Sequence, residues 1–406
     1  MTAVLVVGAG QAGVQTAASL RDNGFTGRVV LIGDEPGEPY QRPPLSKAYL
    51  AGEAEADRLA LRGPEYYAKQ GIELIADRVT EIDRPGHRVR LSDGKTLDYA
   101  HLVLATGARN RDLPVPGADL DGVFGLRTMA DASALRERLP DATNVVVVGG
   151  GFIGLEFASV AAKLGHPVTV VEAMDRVLAR VATPEVSARY AELHESHGNR
   201  ILLGATVAAL RGEGRVSGVE LGEGTVLPAD LVLVGIGVRP NTELAAEAGL
   251  VVDNGILVDE QLSTSDPDIS AIGDCAAYPS RHTTGTVRLE SVQNAIDHGR
   301  CLANRLSGTA APYDALPWFW SDQLNAKLQI AGLSTGYDTT VVHGDPAGGR
   351  FSVFCFQGER LLAVESVNRP RDHIAARRLF IGGIPLRPQD VRADGFDLKE
   401  HLARAA

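Results

Sequence analysis

Three observations predict an α/β fold with two Rossmann-like dinucleotide-binding domains and a C-terminal α+β domain. The order strand, glycine turn, helix, strand occurs twice, at residues 4–32 and 145–172. Each turn reads G-x-G-x-x-G, as Gly8-Ala9-Gly10-Gln11-Ala12-Gly13 and as Gly149-Gly150-Gly151-Phe152-Ile153-Gly154. From about Trp318 the pattern changes to alternating stretches such as Phe351-Ser352-Val353-Phe354 and Leu361-Leu362-Ala363-Val364, which predict an antiparallel sheet with helices after Arg371.

The first unit runs from Val4-Leu5-Val6-Val7 through an amphipathic stretch ending at Asn23-Gly24 to Val29-Val30-Leu31-Ile32. Leu102-Val103-Leu104-Ala105-Thr106-Gly107 reads as a buried strand closed by a glycine turn, and Leu113-Pro114-Val115-Pro116-Gly117 suits a crossing linker. The second unit runs from Val145 to Glu172, and Leu231 to Gly237 gives a further strand and turn. Ile269-Ser270-Ala271-Ile272-Gly273-Asp274 is another strand ending in a turn, so the chain is expected to return to its first domain. The expected boundaries are 1–112 and 243–316 for the first domain, 113–242 for the second and 317–406 for the third.

With 406 residues the chain is too long for one core. A net charge of −11 argues against a general affinity for nucleic acid or anionic membrane. No apolar run reaches membrane-span length, and the N-terminus enters an apolar strand without a charged leader, which predicts a soluble cytoplasmic protein. The three cysteines, Cys275, Cys301 and Cys355, form no C-x-x-C or C-x4-C pair, so neither a disulfide framework nor a dithiol catalyst is expected. No metal site is expected either.

A G-x-G-x-x-G turn lets backbone N–H groups and a helix N-terminus meet a pyrophosphate, because glycine alone permits the tight turn and the close approach. One such turn is also compatible with a purely structural role; two in βαβ context point to two dinucleotides. Glu172 closes the second strand of the second unit, where a carboxylate accepts from a ribose diol and repels a 2′-phosphate. That favours NADH, with Arg176 and Arg180 nearby as possible phosphate ligands. In the first unit Asp34 and Glu35 follow Gly33, and each also reads as a solvated strand-end carboxylate. His282 and His298 have no partner visible in the sequence and read as structural.

The two turns, the strand ends Ala105-Thr106-Gly107 and Ile272-Gly273-Asp274, and the stretch Arg42-Pro43-Pro44-Leu45-Ser46-Lys47 resemble the FAD-dependent, putidaredoxin reductase-like ferredoxin reductases of oxygenase systems. The resemblance extends to Trp318-Phe319-Trp320-Ser321-Asp322-Gln323 and Val367-Asn368-Arg369-Pro370, and Pro-Pro-Leu-Ser-Lys stands where disulfide reductases of this fold carry cysteines. It implies FAD and NAD domains like those of glutathione reductase. FAD contacts are then expected at Gly8, Gly10, Ala12, Gly13, Asp34, Arg42, Lys47, Val79, Ala105, Thr106, Gly107, Arg127, Gly273, Asp274, Val292 and Trp320. NAD contacts are expected at Gly149, Gly151, Phe152, Ile153, Gly154, Glu156, Glu172, Arg180 and Gly237.

The resemblance also implies that Lys47 stands beside the flavin and pairs with Glu156, as the catalytic residues. From the sequence alone, Lys47 reads as a solvated helix residue and Glu156 as a carboxylate favouring its helix N-terminus, Phe152 as core packing or a cover for the flavin, and Trp318 and Trp320 as core or stacking groups. The implied activity is hydride transfer from NADH to FAD and single-electron transfer to a [2Fe-2S] ferredoxin. Arg369, Arg371, Arg377 and Arg378 are one candidate docking face, although such a charge run reads first as a solvated helix face. Two other readings stay open, an NADH oxidase-type flavoenzyme and an NADH-sensing flavoprotein.

Overall fold

The computed structural model describes residues 3–405. They divide into two compact units: the chain up to Gln41 with Asp57–Arg109 and Arg239–Pro317, and Arg42–Ala56 with Asn110–Val238 and the chain from Trp318 onward.

In the first unit five parallel strands lie in the order Ile269–Ala271, His101–Leu104, Ala3–Val7, Arg28–Gly33, Ile72–Ala76. Val, Leu and Ile run continuously through the central strands because helices cover both faces of such a sheet. Helix Gln11–Asp22 packs along helix Val292–Leu306, and Gly299 makes the close crossing possible: a Cβ there would lie 3.0 Å from the Ala12 carbonyl oxygen and the Thr16 amide. Between the third strand and His101–Leu104 the chain forms an antiparallel meander, Val79–Asp83, Arg88–Leu91, Thr96–Asp98.

The second unit repeats this plan. Its parallel order is Arg200–Leu203, Val168–Glu172, Val145–Val148, Leu231–Val234, Val123–Phe124, and a meander of Val207–Glu213, Arg215–Leu221 and Val226–Pro228 again precedes the return strand. This unit also holds a five-stranded antiparallel sheet, Trp318–Gln323, Ala326–Gly332, Arg360–Val367, Arg350–Gln357, Thr339–Asp345, followed by helix Pro370–Gly382. Strand Arg350–Gln357 is buried on both faces from Phe351 to Phe356. Phe354 and Phe356 pack with Ala376 and Leu379 of the helix, while Glu365 of the neighbouring strand reaches Thr183 on the other side. Asn368 takes a left-handed φ of 53° between strand and helix, a conformation asparagine tolerates, and its side chain ties Lys327 and Gly349.

The segment Arg42–Ala56 clusters with the second unit because its side chains are held there. Arg42 Nη1 donates to the Arg127 carbonyl at 2.7 Å, Tyr49 and Ser133 share a hydrogen bond of 2.8 Å, and Lys47 pairs with Glu156.

Candidate functional site

In the first unit the expected FAD residues of three separate segments converge. Gly8 has φ 115°, its amide donates to the Ile32 carbonyl, and a Cβ on it would collide with the carbonyl of Ala105. A Cβ on Gly13 would collide with the Gly8 carbonyl, and one on Gly273 would lie 3.0 Å from the Ala12 Cβ. The glycine turn, the Ala105-Thr106-Gly107 turn and the Gly273-Asp274 turn therefore meet in van der Waals contact. Asp34 is exposed beyond the strand end, and Glu35 accepts from the Tyr40 hydroxyl. Val79 is buried at the start of the meander, and Val292 opens a helix capped by Ser291.

Two residues that hold these turns escaped the sequence reading. Asn241 receives the Thr106 hydroxyl at 2.7 Å, donates its side-chain amide to the Thr106 carbonyl at 2.8 Å, and donates its backbone amide to Gly107. His298, read as structural with no partner visible in the sequence, has one here: its Nδ1 accepts the Gly273 amide at 3.1 Å, and its ring sits edge-on to Tyr278 and Tyr313. Burial drives its pKa down to about 3, so it remains a neutral acceptor. Cys275 is buried beside the same turn, and burial pushes its thiol pKa up.

In the second unit Gly149 has φ 108°, and a Cβ would lie 2.5 Å from the Gly235 carbonyl oxygen. Gly154 is pressed against the Gly149 carbonyl in the way Gly13 is pressed against Gly8. Glu172 accepts the Gly150 amide at 2.6 Å and the Met174 amide at 2.8 Å, which holds the carboxylate at the glycine turn. Gly237, at φ 103°, has the Arg180 guanidinium beside it, whereas Arg176 turns inward to the carbonyls of Ala179 and Ala182 and the hydroxyl of Ser187. Arg176 is thus spent on internal acceptors and does not offer a phosphate site. Ile153 is exposed, and Phe152 stacks on Phe319 with ring centroids 4.4 Å apart.

Lys47 follows the 3-10 turn Pro43–Ser46, and its Nζ pairs with Glu156 Oε2. Glu156 is 3% exposed, so its charge needs several partners. The Ser46 hydroxyl donates to Oε2 at 2.6 Å and the Ser321 hydroxyl to Oε1 at 2.7 Å. Ser321 comes from the strand carrying both tryptophans; by strand alternation Phe319, Ser321 and Gln323 share one face and Trp318 and Trp320 the other. Trp318 lies 5.5 Å from Trp320 and under the Arg377 guanidinium at 4.5 Å. Arg369 pairs with Asp372 at 2.8 Å, so of the four arginines offered as a docking face only Arg371 and Arg378 are exposed.

Whether these residues fit two dinucleotides is answered by the middle glycine of each turn. A Cβ on Gly10 would meet nothing within 4 Å, and one on Gly151 only the Gly235 oxygen at 4.0 Å. Packing does not demand glycine at either place, and an approaching phosphate would. Both helices start there without a side-chain cap or an acidic residue in the first turn, so their N–H groups and dipoles are available to an anion.

Residues 2–299 match the pyridine nucleotide-disulphide oxidoreductase family, and residues 318–402 match a reductase C-terminal domain. The chain is 53% identical to rhodocoxin reductase of Rhodococcus erythropolis over 403 residues, covering 99% of this chain and 94% of that one. Among solved structures it is similar to the ferredoxin reductase of the CYP199A2 system of Rhodopseudomonas palustris, with TM-score 0.97, 50% identity and all of both chains covered. A covalent putidaredoxin reductase–putidaredoxin complex matches with TM-score 0.96 and 45% identity, covering 100% of this chain and 99% of that one. The chain belongs to the pyridine nucleotide-disulphide oxidoreductase family, within its ferredoxin reductase branch.

Proposed function

We propose that this protein is an FAD-dependent NADH:ferredoxin oxidoreductase whose electrons pass to a [2Fe-2S] ferredoxin serving an oxygenase. The observation that carries this reading is the pair of glycine turns, each with an unfilled approach at its middle glycine. Relatives named for their ferredoxin partners support the acceptor. Residues 1–112 with 243–316 serve as the FAD domain and 113–242 as the NAD domain, with 317–406 as the C-terminal domain. When bound, FAD supplies the ability to take a hydride from NADH and give up electrons singly. The chain's three cysteines are free, and Pro43 to Lys47 contain none, so no dithiol relay is proposed.

The residues then take definite tasks. Gly8, Gly10 and Gly13 hold the FAD pyrophosphate against the helix N-terminus, and Asp274 binds the ribitol hydroxyls, which need an acceptor. Gly149, Gly151 and Gly154 do the same for NADH, with Glu172 toward its ribose and Arg180 beside Gly237. Inward rotation of Arg176 and the carboxylate of Glu172 both favour NADH over NADPH. Lys47, held by Glu156, supplies a fixed cation for the charge that reduction places on the flavin. Among the described residues no helix is long and apolar enough to cross a membrane, and free thiols suit a reducing cytoplasm.

The test is anaerobic. The yellow protein is mixed with NADH or NADPH, flavin bleaching is followed, and a purified [2Fe-2S] ferredoxin or a rubredoxin is then added. Fast bleaching with NADH and rapid ferredoxin reduction are expected. Bleaching without transfer to ferredoxin would overturn the acceptor, and absence of bleaching would overturn the hydride step.

A further inference from the structure

The buried hydrogen bonds of Glu156 extend through the second unit much further than its ion pair. Ser321 Oγ, which donates to Glu156 Oε1, receives Gln323 Nε2 at 3.1 Å. Gln323 Oε1 lies 3.1 Å from His194 Nε2, and His194 Nδ1 lies 3.1 Å from Asn199 Nδ2. Asn199 Oδ1 receives the backbone amide of Val168 at 2.9 Å, at the start of the strand that ends in Glu172. Ser321, Gln323, His194 and Asn199 are each at most 4% exposed, so water does not substitute along the chain.

The direction of every bond follows from its ends. Val168 N–H can only donate, so the oxygen of Asn199 faces it, and the Ala158 carbonyl 3.4 Å from Asn199 Nδ2 fixes the same orientation. The Asn199 NH2 then donates to His194 Nδ1, which must be unprotonated. The remaining ring proton sits on Nε2 and donates to Gln323 Oε1. The Gln323 NH2 consequently faces Ser321, whose single hydroxyl proton is left for Glu156. A proton on Glu156 Oε1 would donate to Ser321 Oγ and leave the Ser321 hydroxyl proton without an acceptor in this chain. On Oε2 the Lys47 ammonium and the Ser46 hydroxyl already donate.

We propose that Ser321, Gln323, His194 and Asn199 are positioning residues that form a one-way chain of donors, beginning at the Val168 amide and keeping Glu156 an ionised, fixed acceptor for Lys47. The chain joins the nucleotide-strand side of the unit to the C-terminal sheet, so the strand Trp318–Gln323 takes part in setting the lysine. Burial lowers the pKa of His194, in keeping with a neutral ring. The consequence for turnover rests on the reading that the Lys47–Glu156 pair serves flavin reduction; the polarity of the chain does not.

The experiment uses the holoenzyme labelled with 15N-histidine. The His194 ring, assigned by loss of its signals in His194→Gln, is expected to be the neutral tautomer with its proton on Nε2 at neutral pH. A proton on Nδ1, or an imidazolium, overturns the proposal without reference to activity or to any variant's folding. In stopped-flow reduction by NADH, Ser321→Ala and Gln323→Met are expected to lower the limiting rate about tenfold and leave the NADH dissociation constant within about twofold, with Ser321→Thr restoring it. Lys47→Met separates the two ideas. If it leaves the limiting rate unchanged, the role assigned to the ion pair fails while the tautomer still judges the chain. If it slows reduction and neither Ser321→Ala nor Gln323→Met does, the positioning role is overturned.

Discussion

The two glycine turns are built on one plan and differ in how they hold the acid beyond it. In both, the first glycine is forced by a left-handed φ and by a carbonyl of the return strand's turn, the last by the first glycine's own carbonyl, and the middle one by neither. In the second unit Glu172 folds back onto the turn through the Gly150 and Met174 amides. In the first, Gly33 stands at the position of Glu172, where a Cβ would lie 2.6 Å from the Ala9 Cβ, and Asp34 one residue further on is exposed. Identical spacing therefore produces one turn with a built-in carboxylate and one without. On the proposed reading, the glycines specify the phosphate cradle and the residues at the strand end specify the sugar.

The largest expected effect tests the shared part. Gly8→Ala and Gly149→Ala should each cost about 3 kcal/mol or more, because strained φ and a carbonyl collision act together. Matched losses in thermal unfolding support equivalent turns; a mild Gly149→Ala would break the equivalence.

A second difference lies in the acidic core of the second unit. Glu365, fully buried and taking both the Thr183 amide and hydroxyl, has its pKa raised to about 7, chiefly by burial and with a contribution from nearby Glu185. The native state thus keeps a proton that the unfolded chain releases near the ordinary carboxyl value. Its stabilising contribution is complete below about pH 4 and is lost as pH rises through about 7, an effect on the order of 3 kcal/mol. Glu365→Gln should flatten that dependence in chemical denaturation between pH 5 and pH 8; an unchanged slope would place the titration elsewhere.

Smaller effects separate the two cofactors. Gly10→Ala should fold normally and purify colourless, while Gly151→Ala should stay yellow and bind NADH more than about tenfold more weakly, since only a ligand's approach is obstructed. The reverse pattern would exchange the assignments of the two turns. Smallest is Glu172→Gln, expected to lower kcat/KM for NADH about tenfold and leave that for NADPH nearly unchanged, about 1.4 kcal/mol of discrimination. Equal losses with both nucleotides would assign Glu172 to the turn's structure alone.

The two βαβ units, their glycine turns and the terminal antiparallel sheet were legible in the sequence because each is a local pattern. Valine runs, G-x-G-x-x-G spacing and left-handed glycines are dictated within a few residues of themselves. Lys47, Glu156, Asp274 and Glu172 could be singled out because a family resemblance or a strand end marked them.

What surrounds them was not legible. Ser321 and Glu156 are 165 positions apart, Asn241 and Thr106 are 135 apart, and His298 and Gly273 are 25 apart. A polar residue in a strand or helix interior signals that it needs a partner without saying which. Arg176 shows the converse, a cation placed by sequence just beyond Glu172 and turned inward to satisfy carbonyls. Local propensity and spacing determined the turns and strands by themselves. The tertiary fold decided which buried donor meets which acceptor, because desolvation makes an unpaired polar group costly and only the packed chain supplies the partner.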